Sequence, residues 1–113
     1  MIKYNMAEKG KINEILLEEI AGAVRREVAL DNALITISYV DCSPDLKQAK
    51  VGFSVLPDVL AGTAGRLLSA STGRIIDSLK KRVKIRQIPK ISWEFDATEK
   101  EAARLEKLIS SLE

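Results

Sequence analysis

Two short runs of alternating apolar and polar residues flank a Ser-Pro-Asp turn signal, and this pattern narrows the fold more than any other feature. In the first run Ile35, Ile37 and Tyr39 point one way, and Thr36 and Ser38 the other. In the second, Ala49, Val51, Phe53 and Val55 alternate with Gln48, Lys50 and Ser54. A period of two sorts side chains onto opposite faces of a strand. Ser43-Pro44-Asp45 lies between the runs and reads as a turn, because proline presets φ. The pair is expected to form an antiparallel hairpin with one buried face. Two strands cannot close a core alone, so helices must cover that face.

The flanking sequence supplies them. Ile12, Ile15, Leu16, Ile20, Ala23, Val24 and Val28 recur at helical spacing, and Asp31-Asn32 ends the run. Residues 1–10 are expected to be a flexible lead-in, leaving 11–113 as a single domain. Pro57-Asp58 opens a second helical segment through Leu60, Ala64, Leu67 and Leu68, with Asp58 as a candidate N-cap. The small residues Ser69-Ala70-Ser71-Thr72-Gly73 predict a kink or a break, after which Ile75, Ile76 and Leu79 resume the helical period. A third strand is predicted with Val83, Ile85, Ile91, Trp93 and Phe95 on one side and Lys84, Arg86, Lys90 and Glu94 on the other. Pro89 cannot donate to a ladder and places that strand at an edge or a bulge. Thr98-Glu99-Lys100-Glu101 is a capping box for a last helix carrying Ala102, Leu105, Leu108, Ile109 and Leu112. The order α-β-β-α-kink-α-β-α describes an α+β fold, a three-stranded sheet packed against helices. It is the order of the type II KH domain, a nucleic-acid-binding unit.

Composition removes several function classes. There is no histidine and one cysteine, so neither a His/Cys metal cluster nor a Ser-His or Cys-His nucleophile pair can form. No enzyme activity, cofactor or metal is expected. Cys42 is expected to pack on its strand as a small hydrophobe. No apolar run approaches the ~20 residues of a membrane span, and the first residues lack the apolar core of a signal peptide. The reading is a cytoplasmic protein without membrane contact.

Charge is distributed unevenly. Residues 66–90 hold eight cations against one carboxylate, Asp77, a net of +7, whereas the whole chain carries +2. Such a segment points to a polyanion, most plainly nucleic acid. Candidate RNA-binding residues are Lys80, Lys81, Arg82, Lys84, Arg86 and Lys90, with Ser71, Thr72, Gly73 and Arg74 around the kink. A bland reading stands beside this one, since cations at a helix C-terminus also favour the helix dipole. Arg25 and Arg26 either extend the basic face or do not. Trp93 and Phe95 share the parity of Val83 and Ile85 and are read as core rather than as base-stacking aromatics. KH domains clamp backbone with a Gly-x-x-Gly loop. The literal Gly62-Thr63-Ala64-Gly65 lies too early in its segment for that role and is read as helix-packing glycine.

Three stretches resemble the ribosome-binding factor A family over about residues 12–110. They are Ser43-Pro44-Asp45-Leu46 running into Ala49-Lys50-Val51 and Val55-Leu56; Leu79-Lys80-Lys81-Arg82 leading to Ile85-Arg86-Gln87-Ile88-Pro89; and Phe95-Asp96 before the closing helix. The family carries an Ala-x-Gly kink, matched here by Ser71-Thr72-Gly73. Asp31-Asn32-Ala33 lacks the family's Pro and Arg, and Ile76 stands where an Arg is usual. The resemblance implies a monomeric, non-catalytic maturation factor. It would bind the immature 30S subunit and its 16S rRNA, assist late assembly and rRNA processing, and leave before translation. Other readings of the residues are a stand-alone KH-like binder of RNA or single-stranded DNA, and an adaptor whose basic face meets an acidic protein. At Gly73 the kink is expected to need either positive φ or a close backbone approach.

Overall fold

The computed structural model describes residues 9–84 and 87–97. Its elements are α1 (Lys9–Glu27), β1 (Leu34–Cys42), β2 (Gln48–Leu56), a single 3-10 turn (Asp58–Leu60), α2 (Ala61–Arg82) and β3 (Lys90–Phe95). Lys9 and Gly10, expected in the lead-in, are already helical. The predicted last helix lies outside the described residues, as do Ile85 and Arg86.

The strands form one sheet in the order β1-β2-β3. β1 and β2 are the expected antiparallel hairpin, and β3 runs parallel to β2 at the edge. Both helices supply the core with one stripe each. Ile12, Leu16, Ile20, Ala23 and Val24 are buried along α1, and Ala64, Leu68, Ser71, Ile75 and Leu79 along α2. They meet Ala49, Val51, Phe53 and Val55 of β2, as the alternation predicts.

Four expectations need correction. The register of β1 slips between Ile37 and Tyr39, leaving Ser38 as an extra residue opposite the Phe53-Gly52 step. This bulge reverses the facing of the later β1 residues. Val40 and Cys42 turn into the core, while Tyr39 lies on the outer face opposite Gly52. A Cβ at Gly52 would overlap the Tyr39 ring, so glycine makes the seat for it. Second, α2 runs without a break through Ser69–Gly73, so the two predicted helical segments are halves of one 22-residue helix. Third, β3 begins after Pro89 rather than at Val83, since proline has no N–H to give the ladder. Val83 and Lys84 belong instead to the connection from α2. Fourth, Asp58 is the first residue of the 3-10 turn and not a cap; Pro57 holds the capping position, without a side-chain hydrogen bond.

Helix α1 ends at Glu27, short of the expected Val28 and ahead of Asp31-Asn32, and Asn32 takes the left-handed region at φ 59° that asparagine tolerates. The hairpin turn is held by its own side chains. Ser43 N donates to Gln48 O at 2.8 Å and Leu46 N to Ser43 O at 2.9 Å. Ser43 Oγ donates to Asp45 Oδ1 at 2.7 Å and accepts from Gln48 N at 3.1 Å. Lys47 N also donates to Asp45 Oδ1, at 3.1 Å. Leu46 adopts φ 59°, unusual for leucine, and its side chain packs on the core.

The Ser43 hydroxyl first, and then the Lys47 N–H, hold the Asp45 carboxyl below the usual aspartate range. A depressed folded-state pKa gives stability that is present above the unfolded value, ~4, and is lost as pH falls through the folded one. Asp45→Asn is therefore expected to be less stable than the parent at neutral pH. The gap should close as pH drops below ~4, followed by chemical denaturation at a series of pH values.

Candidate nucleic-acid interface

The strand order decides where the cations go. A parallel neighbour requires a crossover. α2 therefore carries the chain from the Leu56 end of β2 back to the Gln48 end, where β3 starts. Lys80, Lys81 and Arg82 form the last turn of α2, at the carbonyl end of its dipole. Val83 turns extended, with its N–H on Leu79 O at 2.7 Å, and Lys84 follows, exposed. Lys90 opens β3 opposite Gln48 and donates its N–H to Lys47 O at 2.9 Å. The hairpin turn and the start of β3 thus share one end of the sheet, and α2 runs toward it, with seven residues between Arg82 and Lys90.

That end also gathers residues that the linear charge run does not contain. Lys47 in the turn and Lys50 on the outer face of β2 are exposed there. Lys50 and Lys90 line one recess with Gln48 and Ser92. Arg66, inside the charge run, lies elsewhere. It is sixteen residues before Arg82 on the same helix, about 24 Å at 1.5 Å per residue. The +7 segment is therefore not a single patch.

The residues around the predicted kink divide. Ser71 is fully buried on the packed stripe of α2, and its Oγ accepts from Arg74 Nη2 at 3.0 Å. Thr72 Oγ1 donates to Leu68 O at 2.9 Å and accepts the Trp93 indole N–H at 2.8 Å. These two hydroxyls serve the fold: one orients Arg74 and the other fastens β3 to α2. Trp93 is partly buried against the core, the face expected for it, whereas Phe95, also read as core, is exposed at the end of β3, its ring meeting Phe53 edge-to-face at 5.8 Å. Gly73 and Arg74 are exposed. No glycine among the described residues has positive φ, and a Cβ at Gly73 would meet nothing within 4 Å. The backbone reason expected for Gly73 is therefore absent. Of the other glycines read as packing residues, Gly65 lies against Phe53, with 3.4 Å between its would-be Cβ and the ring, and Gly62 is exposed. Both are within α2 and not in a loop.

The middle of the outer sheet face is not basic. Tyr39 donates its hydroxyl to Glu94 Oε2 at 3.1 Å. Burial of the ring first, and then that carboxylate, push the phenol pKa up, so the proton stays on. Among the described residues no group of three or more His, Cys, Asp or Glu could hold a metal ion. No helix among them is long and apolar enough to cross a membrane.

A hairpin, a crossover helix and a parallel edge strand, backed by α1, make this a KH-like α+β domain. Its fold matches the crystal structure of ribosome-binding factor A from Thermus thermophilus, with a TM-score of 0.68 and 22% identity over 77% of this chain and 93% of that one. It also matches a solution structure of a ribosome-binding factor A homologue from Thermotoga maritima, with a TM-score of 0.65 and 21% identity over 80% and 89%. The family model for ribosome-binding factor A matches residues 8–109. Relatives named ribosome-binding factor A include one from Methylibium petroleiphilum, 34% identical over 88% of this chain and 75% of its own. Another, from Natranaerobius thermophilus, is 33% identical over 92% and 81%. The chain belongs to the ribosome-binding factor A family.

Thr72→Val keeps the shape of the side chain and removes both hydrogen bonds. It leaves the indole N–H without its partner, which costs about 1–3 kcal/mol. The variant is expected to lose that much in urea denaturation.

Proposed function

We propose that this protein binds the immature 30S subunit through 16S rRNA and assists late assembly and rRNA processing without catalysis, as a monomer in the bacterial cytoplasm. It leaves before translation begins. Family membership supports the ribosome as target. The single observation that carries the RNA contact is the run of Lys80, Lys81, Arg82 and Lys84 at the C-terminal end of α2, which leads toward Lys90 and its sheet neighbours Lys47 and Lys50. Gly73 and Arg74 belong to the same reading, and so does Arg86, which lies outside the described residues. Ser71 and Thr72 take part through Arg74 and Trp93 rather than by touching RNA. The contact neutralises backbone phosphates and reads shape, not base sequence.

Sedimentation of a cell extract through a sucrose gradient tests the target: the protein should travel with small subunits at low salt and leave them after ribonuclease treatment. With purified 16S rRNA, about five neutralised phosphates correspond to a slope of log K against log salt of roughly −3.5 to −4.5. A flat dependence contradicts the reading.

Gly73 supplies a second test. Glycine within a helix costs roughly 0.5–1 kcal/mol relative to alanine, and nothing within 4 Å of Gly73 calls for it. A closely approaching RNA backbone would. Gly73→Ala is expected to stabilise the protein by ~0.5–1 kcal/mol and to weaken rRNA binding. Unchanged affinity in the stabilised variant removes Gly73 from the interface.

A further inference from the structure

Where the last turn of α1 faces the second half of α2, the surface forms a cleft of about 530 Å³. Arg26 from α1 and Arg74, Lys81 and Arg82 from α2 line it, together with the carboxylates of Glu27 and Asp77. Arg74, Asp77 and Lys81 recur at spacings of three and four, so they share one side of α2 beside the buried stripe, with Arg82 next to them at the helix end. Arg26 meets Ser78 and Glu19 meets Arg82, so the two helices run antiparallel across this cleft.

Each arginine is tethered inside the fold. Arg26 Nη2 donates to Ser78 Oγ at 2.8 Å, Arg74 Nη2 to Ser71 Oγ at 3.0 Å, and Arg82 Nε to Glu19 Oε2 at 3.0 Å. A guanidinium has five N–H donors, so each tether leaves most of them for a ligand. The partners of Arg26 and Arg74 are neutral hydroxyls, which orient the group without cancelling its charge. Arg26 also lies back over Gly22, where a Cβ would stand 3.1 Å from Nη1. The missing side chain at Gly22 is part of the seat. Long cationic side chains lose rotamer freedom when they grip an anion, and ordering them in advance removes part of that loss.

We propose that this cleft is a binding site for a phosphate of the RNA backbone, with Arg26 as the contribution of α1. It rests on the RNA-binding reading above and adds to it a site on the α1 side of α2, apart from Gly73 and β3. Planar guanidinium forks match the paired oxygens of a phosphodiester. Glu27 and Asp77 narrow what can enter: the anion must sit among the guanidiniums and clear of both carboxylates. That suits one phosphodiester better than an extended acidic protein surface.

The test measures binding of purified 16S rRNA over a salt series for the parent chain, Arg26→Ala, Ser78→Glu and Arg25→Ala, with thermal unfolding of each. Arg26→Ala removes the fork. Ser78→Glu keeps Arg26 but sets a carboxylate on it, and serves if Arg26→Ala does not fold. Arg25 is exposed on the same turn and does not line the cleft. The expected result is a slope of log K against log salt that is shallower by about 0.7–0.9 in Arg26→Ala and Ser78→Glu, the loss of one phosphate contact, with Arg25→Ala like the parent. Parent-like affinity and slope in folded Arg26→Ala and Ser78→Glu overturn the cleft and leave the broader reading standing. Failure of the parent chain to bind rRNA overturns both. Intact rRNA binding with weakened subunit association assigns the cleft to an acidic protein and also overturns the proposal.

Discussion

The parallel pairing of β3 with β2 is the constraint on which the rest of the molecule depends. Adjacent parallel strands cannot be joined by a tight turn, and the chain must return along the sheet before it can pair again. α2 is that return path. Its direction is fixed by the two strands it connects, so its last turn points toward the end of the sheet where β3 begins. The meeting of Lys90 with Lys47 and Lys50 is therefore a product of topology as much as of sequence. The Trp93–Thr72 hydrogen bond at 2.8 Å locks the return path to the strand it serves.

Ser71 shows how closely packed that arrangement is. It occupies a place on the buried stripe of α2 otherwise filled by Ala64, Leu68, Ile75 and Leu79. A buried hydroxyl is costly without a partner, and here the partner is Arg74, an exposed residue one turn on. The packing of the helix and the aim of an exposed cation are settled by the same contact. At the far side of the sheet, the hairpin turn works in a similar way. Leu46 accepts a left-handed backbone because its side chain reaches the core, and Ser43 and Asp45 close the turn around it.

The elements that obey one period throughout were legible in the sequence. The α1 stripe, the β2 alternation, the turn at Ser43-Pro44-Asp45 and the inward side of Trp93 all follow from spacing. Periodicity fails where a single residue is inserted or a local preference is overruled. The bulge at Ser38 shifts the parity of β1, and nothing in the residues themselves marks it before Gly52 is seen opposite Tyr39. The small residues from Ser69 to Gly73 suggested an interruption, but the helix runs on with Ser71 packed on its buried stripe. In the candidate interface, Lys80, Lys81, Arg82 and Lys84 were visible as a charge run because they are adjacent in the chain. Lys47 and Lys50 join Lys90 only through strand pairing, and Arg26 reaches the cleft only through the packing of α1 on α2. Neither relation is encoded at short range.

Cys42 gives the molecule a built-in reporter. The chain has one thiol, which is 1% exposed at the end of β1. The backbone N–H of the same residue donates to Asn13 Oδ1 of α1 at 3.0 Å, so strand end and helix are joined there. A thiol reagent is shielded from the sulfur while the fold is closed here. Labelling under native conditions therefore reports opening of the structure around this junction. Because α1 forms one wall of the basic cleft, a bound ligand that spans both helices would slow that labelling without touching the cysteine.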